Sequence, residues 1–436
     1  MRKIVFFFSM LLGFLASAQK TVLEVKKDSI VSEIKETASE VADAATELNE
    51  EKKHPFTTGY YPVGFFDIDL KTLFKYNNYE GFRLGIGGLT NDRLFEKYKF
   101  GGYIAYGFKD DAFKYSVGGS ARVNKKKKAW VSLYYTDGIK EIGTFDFLTD
   151  ARFYSLFEPR LVNITDFYGY TQWQANIQSE LSPKILAELR VQHTDVRNFE
   201  DYYFIKDGKS YNEYKLAEAL FSFRIKLKTD SIINDDGEKV ATDVLPQLST
   251  QIIKGFKDIA GSDFNYAKFG LKLDYELKRK NLSSTSFLLQ CEIATGDVPL
   301  THLFHAFPNQ PTKTSVMKRF SVAGVQSFET MYFGEFYSDK LAMLQMKHTF
   351  RRFKLAEKWK PELVIISRHA IGDMSDTDRH FGIPFKTLDH PYNEAGLELN
   401  KIAIGFGLSF AYRYEYYNLP NFEDNISFKF TFNLKV

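Results

Sequence analysis

The last eleven residues alternate without a break: Ile426, Phe428, Phe430, Phe432, Leu434 and Val436 are separated by Ser427, Lys429, Thr431, Asn433 and Lys435. A period of two is the period of a β-strand, so this segment offers one apolar face and one polar face. On this reading Phe430 faces an apolar surrounding, whereas Lys429 points to the wet side and its charge should be dispensable. The pattern recurs along the chain. Phe269, Leu271, Leu273, Tyr275 and Leu277 alternate with Lys268, Gly270, Lys272, Asp274 and Glu276. Phe82, Leu84 and Ile86 follow it, as do Phe113, Tyr115 and Val117, then Ala219, Phe221, Phe223 and Ile225, then Phe287, Leu289, Cys291 and Ile293, then Phe406, Leu408, Phe410 and Tyr412.

Two environments accept so many one-sided strands, a soluble barrel or sandwich around a ligand and a barrel in a membrane. Strand length separates them. Several segments run ten residues or more, which matches the roughly 9 to 11 that a tilted strand needs to cross a bilayer and exceeds the usual five or six of globular sheets. Lipid then demands closure, because an open edge leaves backbone donors unpaired in hydrocarbon. The expectation is an all-β chain, a closed antiparallel transmembrane β-barrel of about 16 strands over residues 66–436, running from Phe66–Tyr76 to Ile426–Val436. Long connections at Asp137–Phe167, Thr194–Glu213, Gly296–Tyr332, Ala370–Pro391 and Tyr414–Asn425 alternate with short turns such as Leu181–Lys184. The connection from Thr229 to Leu245 is long where a short one is expected.

Composition fits this architecture. Aromatic residues form 16% of the chain and only 12 residues are Pro; aromatics suit interfacial girdles, and Pro removes ladder hydrogen bonds. A mean hydropathy of -0.30 is compatible with a barrel or a soluble protein. The single cysteine, Cys291, reads as a small apolar residue on the lipid side. The formal net charge is +3, and the one dense basic run, Lys125–Lys128, reads as a turn, so no nucleic-acid partner is expected.

Residues 1–18 have the three parts of a secretory signal: Arg2 and Lys3, an apolar run from Ile4 to Leu15, and Ala16-Ser17-Ala18, with cleavage expected after Ala18. Gln19 stands where a lipoprotein carries cysteine. Residues 19–65 form an acidic segment, within which Val31, Ile34, Ala38, Val41, Ala45 and Leu48 recur at helical spacing. The stretch 29–50 is either a helix that engages a partner or a second copy, or a partly helical linker.

Polar constellations point away from catalysis. His302 and His305, and His380 and His390 with Asp373, Asp376 and Asp378, lack the converging ligand sets of metal sites, and Gly-x-Ser-x-Gly is missing. Neither a cofactor nor an enzymatic activity is expected. Counting by twos places Glu335, Asp339, Glu394 and Glu398 on the lumen side, either as gating groups or as partners of Arg368, Arg413 and Lys429. The loop Gly296–Tyr332 carries Lys313, Lys318 and Arg319. It is expected to fold inward, its cations meeting the wall's carboxylates.

With the strands placed, particular runs resemble a known family. Glu80–Gly88 followed by Gly101–Lys109, then Gly255-Phe256 with Phe264-Asn265-Tyr266, Gly296–Pro299, Glu335–Lys340 and Tyr392–Glu398 resemble an outer-membrane barrel family of Bacteroidota of unknown function. Its barrel usually follows a carboxypeptidase-like regulatory domain. That family is distantly similar to the surface-antigen superfamily of barrels that assemble or translocate other proteins. The chain departs from the superfamily in lacking the Val-Arg-Gly-Phe or Tyr motif of the long sixth loop, which Arg319-Phe320 and Val325–Phe328 match only loosely. The resemblance implies an integral barrel in the bacterial outer membrane, in contact with its lipid, that passes or assembles a substrate in a gated manner. The second reading is a passive porin or a structural surface protein, and the third a barrel hydrolase.

Overall fold

The computed structural model describes residues 59–432 apart from 151–158, 200, 228–230, 234–238, 242, 280–281, 312–321, 355–359 and 404–405. The signal sequence with Ala18, the stretch 29–50, Lys313, Lys318, Arg319 and the final four residues lie outside the described residues.

The chain is built from strands. A hairpin of β1 (Tyr60–Val63) and β2 (Phe66–Asp69) leads through one helical turn, α1 (Leu70–Leu73), to β3 (Phe74–Asn77). There follow β4 (Gly81–Thr90), β5 (Tyr98–Gly107), β6 (Ala112–Asn124), β7 (Ala129–Glu141), β8 (Phe167–Ser182), β9 (Ile185–Asn198), β10 (Tyr203–Lys206), β11 (Lys209–Tyr211) and β12 (Glu213–Lys226). Next come β13 (Ser231–Ile233), β14 (Lys239–Ala241), β15 (Asp243–Gly255), β16 (Tyr266–Lys278), β17 (Ser284–Gly296), β18 (Pro308–Gln310) and β19 (Phe328–Tyr332). The last are β20 (Lys340–Thr349), β21 (Glu362–Asp373), β22 (His380–Phe381), β23 (Tyr392–Ala403), β24 (Phe406–Tyr414) and β25 (Ile426–Phe432).

One large sheet holds the long strands, each antiparallel to its neighbour in chain order: β2 and β3 both pair with β4, and the ladder continues through β5, β6, β7, β8, β9, β12, β15, β16, β17, β20, β21, β23 and β24 to β25. The first strand is not the single run expected from Phe66 to Tyr76. Asp69 caps a helical turn instead, accepting from Lys71 N at 3.0 Å while its carbonyl accepts from Thr72 Oγ1 at 2.7 Å. The turn rests against β4 at Gly85, where a Cβ would lie 2.8 Å from the Thr72 carbonyl oxygen. β1 covers the other edge of β2. Among the described residues β25 pairs with a wall strand, β24, on one side only.

The antiparallel order sends alternate connections to opposite ends. One end carries 142–166, 199–212, 297–339, 374–391 and 415–425, with shorter links at 78–80, 108–111 and 256–265. The other carries 91–97, 125–128, 183–184, 279–283, 350–361 and 404–405. The exception at that end, 227–242, contains a small β13–β14 hairpin.

The polarity of the two faces is reversed from that of a soluble sheet. On β12, Glu218, Ser222 and Arg224 are buried while Phe221 is 44% exposed; on β16, Lys268 and Lys272 are buried while Phe269 is exposed. Phe82, Leu84, Ile86, Phe113, Val117, Leu189 and Val191 are likewise exposed. The apolar core does not lie between sheet layers. It gathers under the long connections, where Phe145, Phe147, Phe264, Leu300, Phe304, Phe328, Met331 and Tyr392 cluster. No described helix is long and apolar enough to cross a membrane.

Candidate functional site

Two long connections fill the buried polar face of the sheet. The first, 142–166, places Phe145 over Gly270 of β16, where a Cβ would come within 2.3 Å of the ring. Its backbone is recognised by the wall: Gln251 Oε1 accepts from Leu148 N at 2.8 Å and Gln251 Nε2 donates to the Asp146 carbonyl at 2.9 Å. Lys272 reaches Asp150 at 2.6 Å.

The second connection, 297–339, goes deeper. Its short strands β18 and β19 pair in parallel, so residues 308–310 and 328–332 brace one another. Wall strands and the other long loops supply the remaining partners. Tyr202 Oη accepts from Leu300 N at 2.8 Å, and Lys268 Nζ donates to the His302 carbonyl at 2.8 Å. His305 Nε2 lies 2.9 Å from Glu141, whose carboxylate also holds Arg160 in a forked pair. Burial and the cations Lys268 and Lys140 push the His302 imidazole well below its ordinary range, so it stays neutral.

Three ion pairs join this loop to the last wall strands or stabilise its footing. Glu329 on β19 and Lys429 on β25 are each about 1% exposed; Lys429 Nζ donates to Glu329 Oε2 and to the Glu329 carbonyl, both at 2.9 Å. Glu335 accepts a forked pair from Arg413 of β24, at 2.8 and 3.0 Å. That guanidinium lies 4.7 Å over the Tyr392 ring, a cation–π contact that fixes its plane. Glu394 of β23, paired with Arg368 of β21, accepts from Thr330 N at 2.7 Å and from Thr330 Oγ1 at 2.6 Å. The loop also reaches the free edge of β25, where Ala323 N donates to the Phe430 carbonyl at 2.8 Å.

Of the residues singled out in the sequence, Glu335, Glu394 and the cations Arg368 and Arg413 are therefore brought together. Glu398 lies four residues along β23, accepting from Asn400 Nδ2 at 3.0 Å. Asp339 is apart, at the long-loop end, accepting from Ser375 N at 2.9 Å. Counting by twos placed Glu335 and Asp339 on a wall strand, and here the structure corrects the sequence. β20 begins only at Lys340, because the chain turns at Gly334 with φ +70 and Glu335 belongs to the loop. Sequence reasoning missed Glu329 and Thr330, and it found the 137–167 connection as a long one without its packing against the polar face. A carboxylate framed by Phe328 and Met331 was the one available signal for Glu329. Among the described residues no three of His, Cys, Asp and Glu are grouped as a metal's ligands would be.

Above this layer β11, β10 and β22 form a small sheet that packs on the same core. Tyr202 Oη meets His380 Nδ1 at 2.8 Å, and burial together with Arg379 lowers the imidazole from its ordinary 6.5 to about 4. A depressed histidine titration means that protonation favours the opened form. The small sheet should keep its full stability above pH 6.5 and lose it as the pH falls from 6.5 towards 4. Hydrogen exchange of residues 203–211 and 380–385 should accelerate over that interval, and a His380→Gln variant should lose the step. Exchange that is flat over that interval in the parent protein contradicts the assignment.

No curated protein matches the chain. Among solved structures it is similar to BamA from Haemophilus ducreyi lacking POTRA domains 1–3, at 13% identity and a TM-score of 0.48, covering 82% of this chain and 68% of that one. It is also similar to CdiB from Escherichia coli, at 11% identity and a TM-score of 0.47 with 81% and 60% covered. CdiB from Acinetobacter baumannii gives 10% identity and a TM-score of 0.44 with 81% and 57% covered. The chain spans less than two thirds of the length of either CdiB chain. The model of the C-terminal domain of a family of unknown function, DUF5686, matches residues 63–292, more than half of the chain, and the chain therefore belongs to that family.

Proposed function

We propose that the chain is an integral β-barrel of a bacterial outer membrane whose lumen is closed by its own loops, acting in gated passage or assembly of another molecule rather than in catalysis. The carrying observation is the reversed polarity of the sheet together with a loop inserted against its polar face. The strands of the large sheet from β4 to β23 have 10 to 16 residues, which suits a bilayer crossing. Their exposed apolar face suits lipid, and the buried polar face suits a lumen. Counting β2 and β3 as one position gives sixteen strands, and the cost of an unpaired edge in hydrocarbon favours closure between the first and last positions, beside the one β25 carbonyl, that of Phe430, that the loop holds.

An open diffusion pore has no need of a packed interior. Here Leu300, Phe304, Phe328 and Met331 are fully or almost fully buried inside it. Because the same loop bonds the free edge of β25 through Ala323, displacing it both opens the lumen and releases a strand edge. In planar bilayers the intact chain should show little steady conductance, and replacing 306–333 by a short Gly-Ser linker should produce large, steady channels. A large conductance in the intact chain that the replacement leaves unchanged establishes the passive pore instead.

A further inference from the structure

The two ends of the sheet carry opposite charge. Among the described side chains, the connections at the short-turn end, 91–97, 125–128, 183–184, 227–242, 279–283 and 350–361, contain 12 Lys and Arg against 2 Asp and Glu. Among the described residues, the connections at the long-loop end contain 7 Lys and Arg against 20 Asp and Glu. Because the chain as a whole is nearly neutral, this is a segregation of charge along the strand direction and not a compositional bias.

Backbone bonds set the first four of these connections next to one another. Arg122 N donates to the Lys97 carbonyl, Glu180 N to the Lys127 carbonyl, and Lys226 N to the Lys184 carbonyl, so successive turns stand side by side. The side chains reach outward: Lys125 is 79% exposed and shares the single carboxylate of Glu96 with Arg122, and Lys128 is 51% exposed beside Glu180. Exposed apolar side chains accompany these cations. Phe95 precedes Lys97, Leu181 precedes Lys184, and Phe350 and Phe353 flank Arg351 and Arg352. An apolar group beside a long cationic side chain suits the boundary between hydrocarbon and headgroups, where the stem stays in the apolar layer and the charge rises to the phosphates.

We propose that this collar binds the anionic headgroups of phospholipids in the leaflet at the short-turn end, which fixes the depth and direction of the barrel in the membrane. The inference rests on the membrane-barrel reading, because a soluble chain presents the collar to no leaflet. The partner is a lipid surface on this argument, since the cations are spread over successive connections at one end of the sheet instead of converging on one pocket.

The test uses the full chain folded into phosphatidylcholine vesicles, with spin-labelled phosphatidylglycerol and phosphatidylcholine as probes of the lipid at the protein boundary. Phosphatidylglycerol should be preferred by about threefold or more at low salt, with the preference shrinking at high salt. It should largely vanish in the Lys97→Gln/Lys125→Gln/Lys126→Gln/Lys127→Gln variant and persist in Lys209→Gln/Lys257→Gln, which alters the opposite end. An inserted barrel without the preference, or with one that neither salt nor the collar variant reduces, overturns the proposal. Failure of the parent chain to give a heat-sensitive shift in gel mobility is a different outcome: it removes the membrane reading, and the lipid proposal with it.

Discussion

Replacing Lys429 with Met is expected to cost about 3 to 5 kcal/mol, the range for breaking a buried ion pair from one side. Lys429 and Glu329 are each about 1% exposed, and the ammonium also holds the Glu329 and Asn309 carbonyls. Removing it leaves a carboxylate without a cation in a place water cannot reach. Glu329 has other duties, accepting from Ser327 Oγ at 2.8 Å, Asn309 Nδ2 at 2.8 Å and Gly324 N at 3.0 Å. The companion change that should rescue the variant is therefore Glu329→Gln, which removes the charge and keeps an acceptor. Unfolding in denaturant, followed by the mobility difference between folded and heated protein, should show the single variant strongly weakened and the double variant recovering most of the loss. The single variant should also conduct in planar bilayers, because the pair ties the inserted loop to β25. A loss below about 1 kcal/mol, typical of exposed pairs, rules out the pair as the loop's anchor.

The second large effect is on the opposite face. Phe221 lies in the middle of β12 and is 44% exposed, while its neighbour Ser222 is fully buried against the 142–166 connection through Thr149 at 3.2 Å. In a soluble protein, Lys in place of an exposed Phe is close to neutral, within about 0.5 kcal/mol. In a bilayer the same change near mid-membrane should cost about 2 to 4 kcal/mol. The measurement is the refolding equilibrium of Phe221→Lys into lipid vesicles, with Lys257→Gln at a polar loop as reference. Equal stability of the two variants means that the apolar face does not meet hydrocarbon.

These two predictions draw on different layers of information. Phe221 could be assigned from the sequence, since Ala219, Phe221, Phe223 and Ile225 alternate with small or polar residues, and a period of two states which residues share a face whatever lies beyond it. Lys429 could not. Alternation placed it on the polar side and offered it as a partner for a carboxylate, but it could not name Glu329 as that partner or show that protein covers the pair. Burial of Lys429 depends on β19, roughly a hundred residues away in the chain, and separation of that kind leaves no local pattern.

The alternation and the length of the strands by themselves determined the face of the residues in the alternating segments, the antiparallel order and the end of the sheet to which the connections at 137–167, 194–213, 296–332, 370–391 and 414–425 go. These are local properties, since strand period and turn spacing are set by neighbouring residues. Only the tertiary structure decided what occupies the polar face, which carboxylates meet Arg368, Arg413 and Lys429, and that Glu335 belongs to a loop and not to a wall strand. It also decided that the first strand position is broken by α1. Each of these depends on segments distant in the chain packing together or on the close approach of backbones, and pairings between distant ionic groups are selected by the desolvation they share once buried, a quantity that does not exist until the chain has folded.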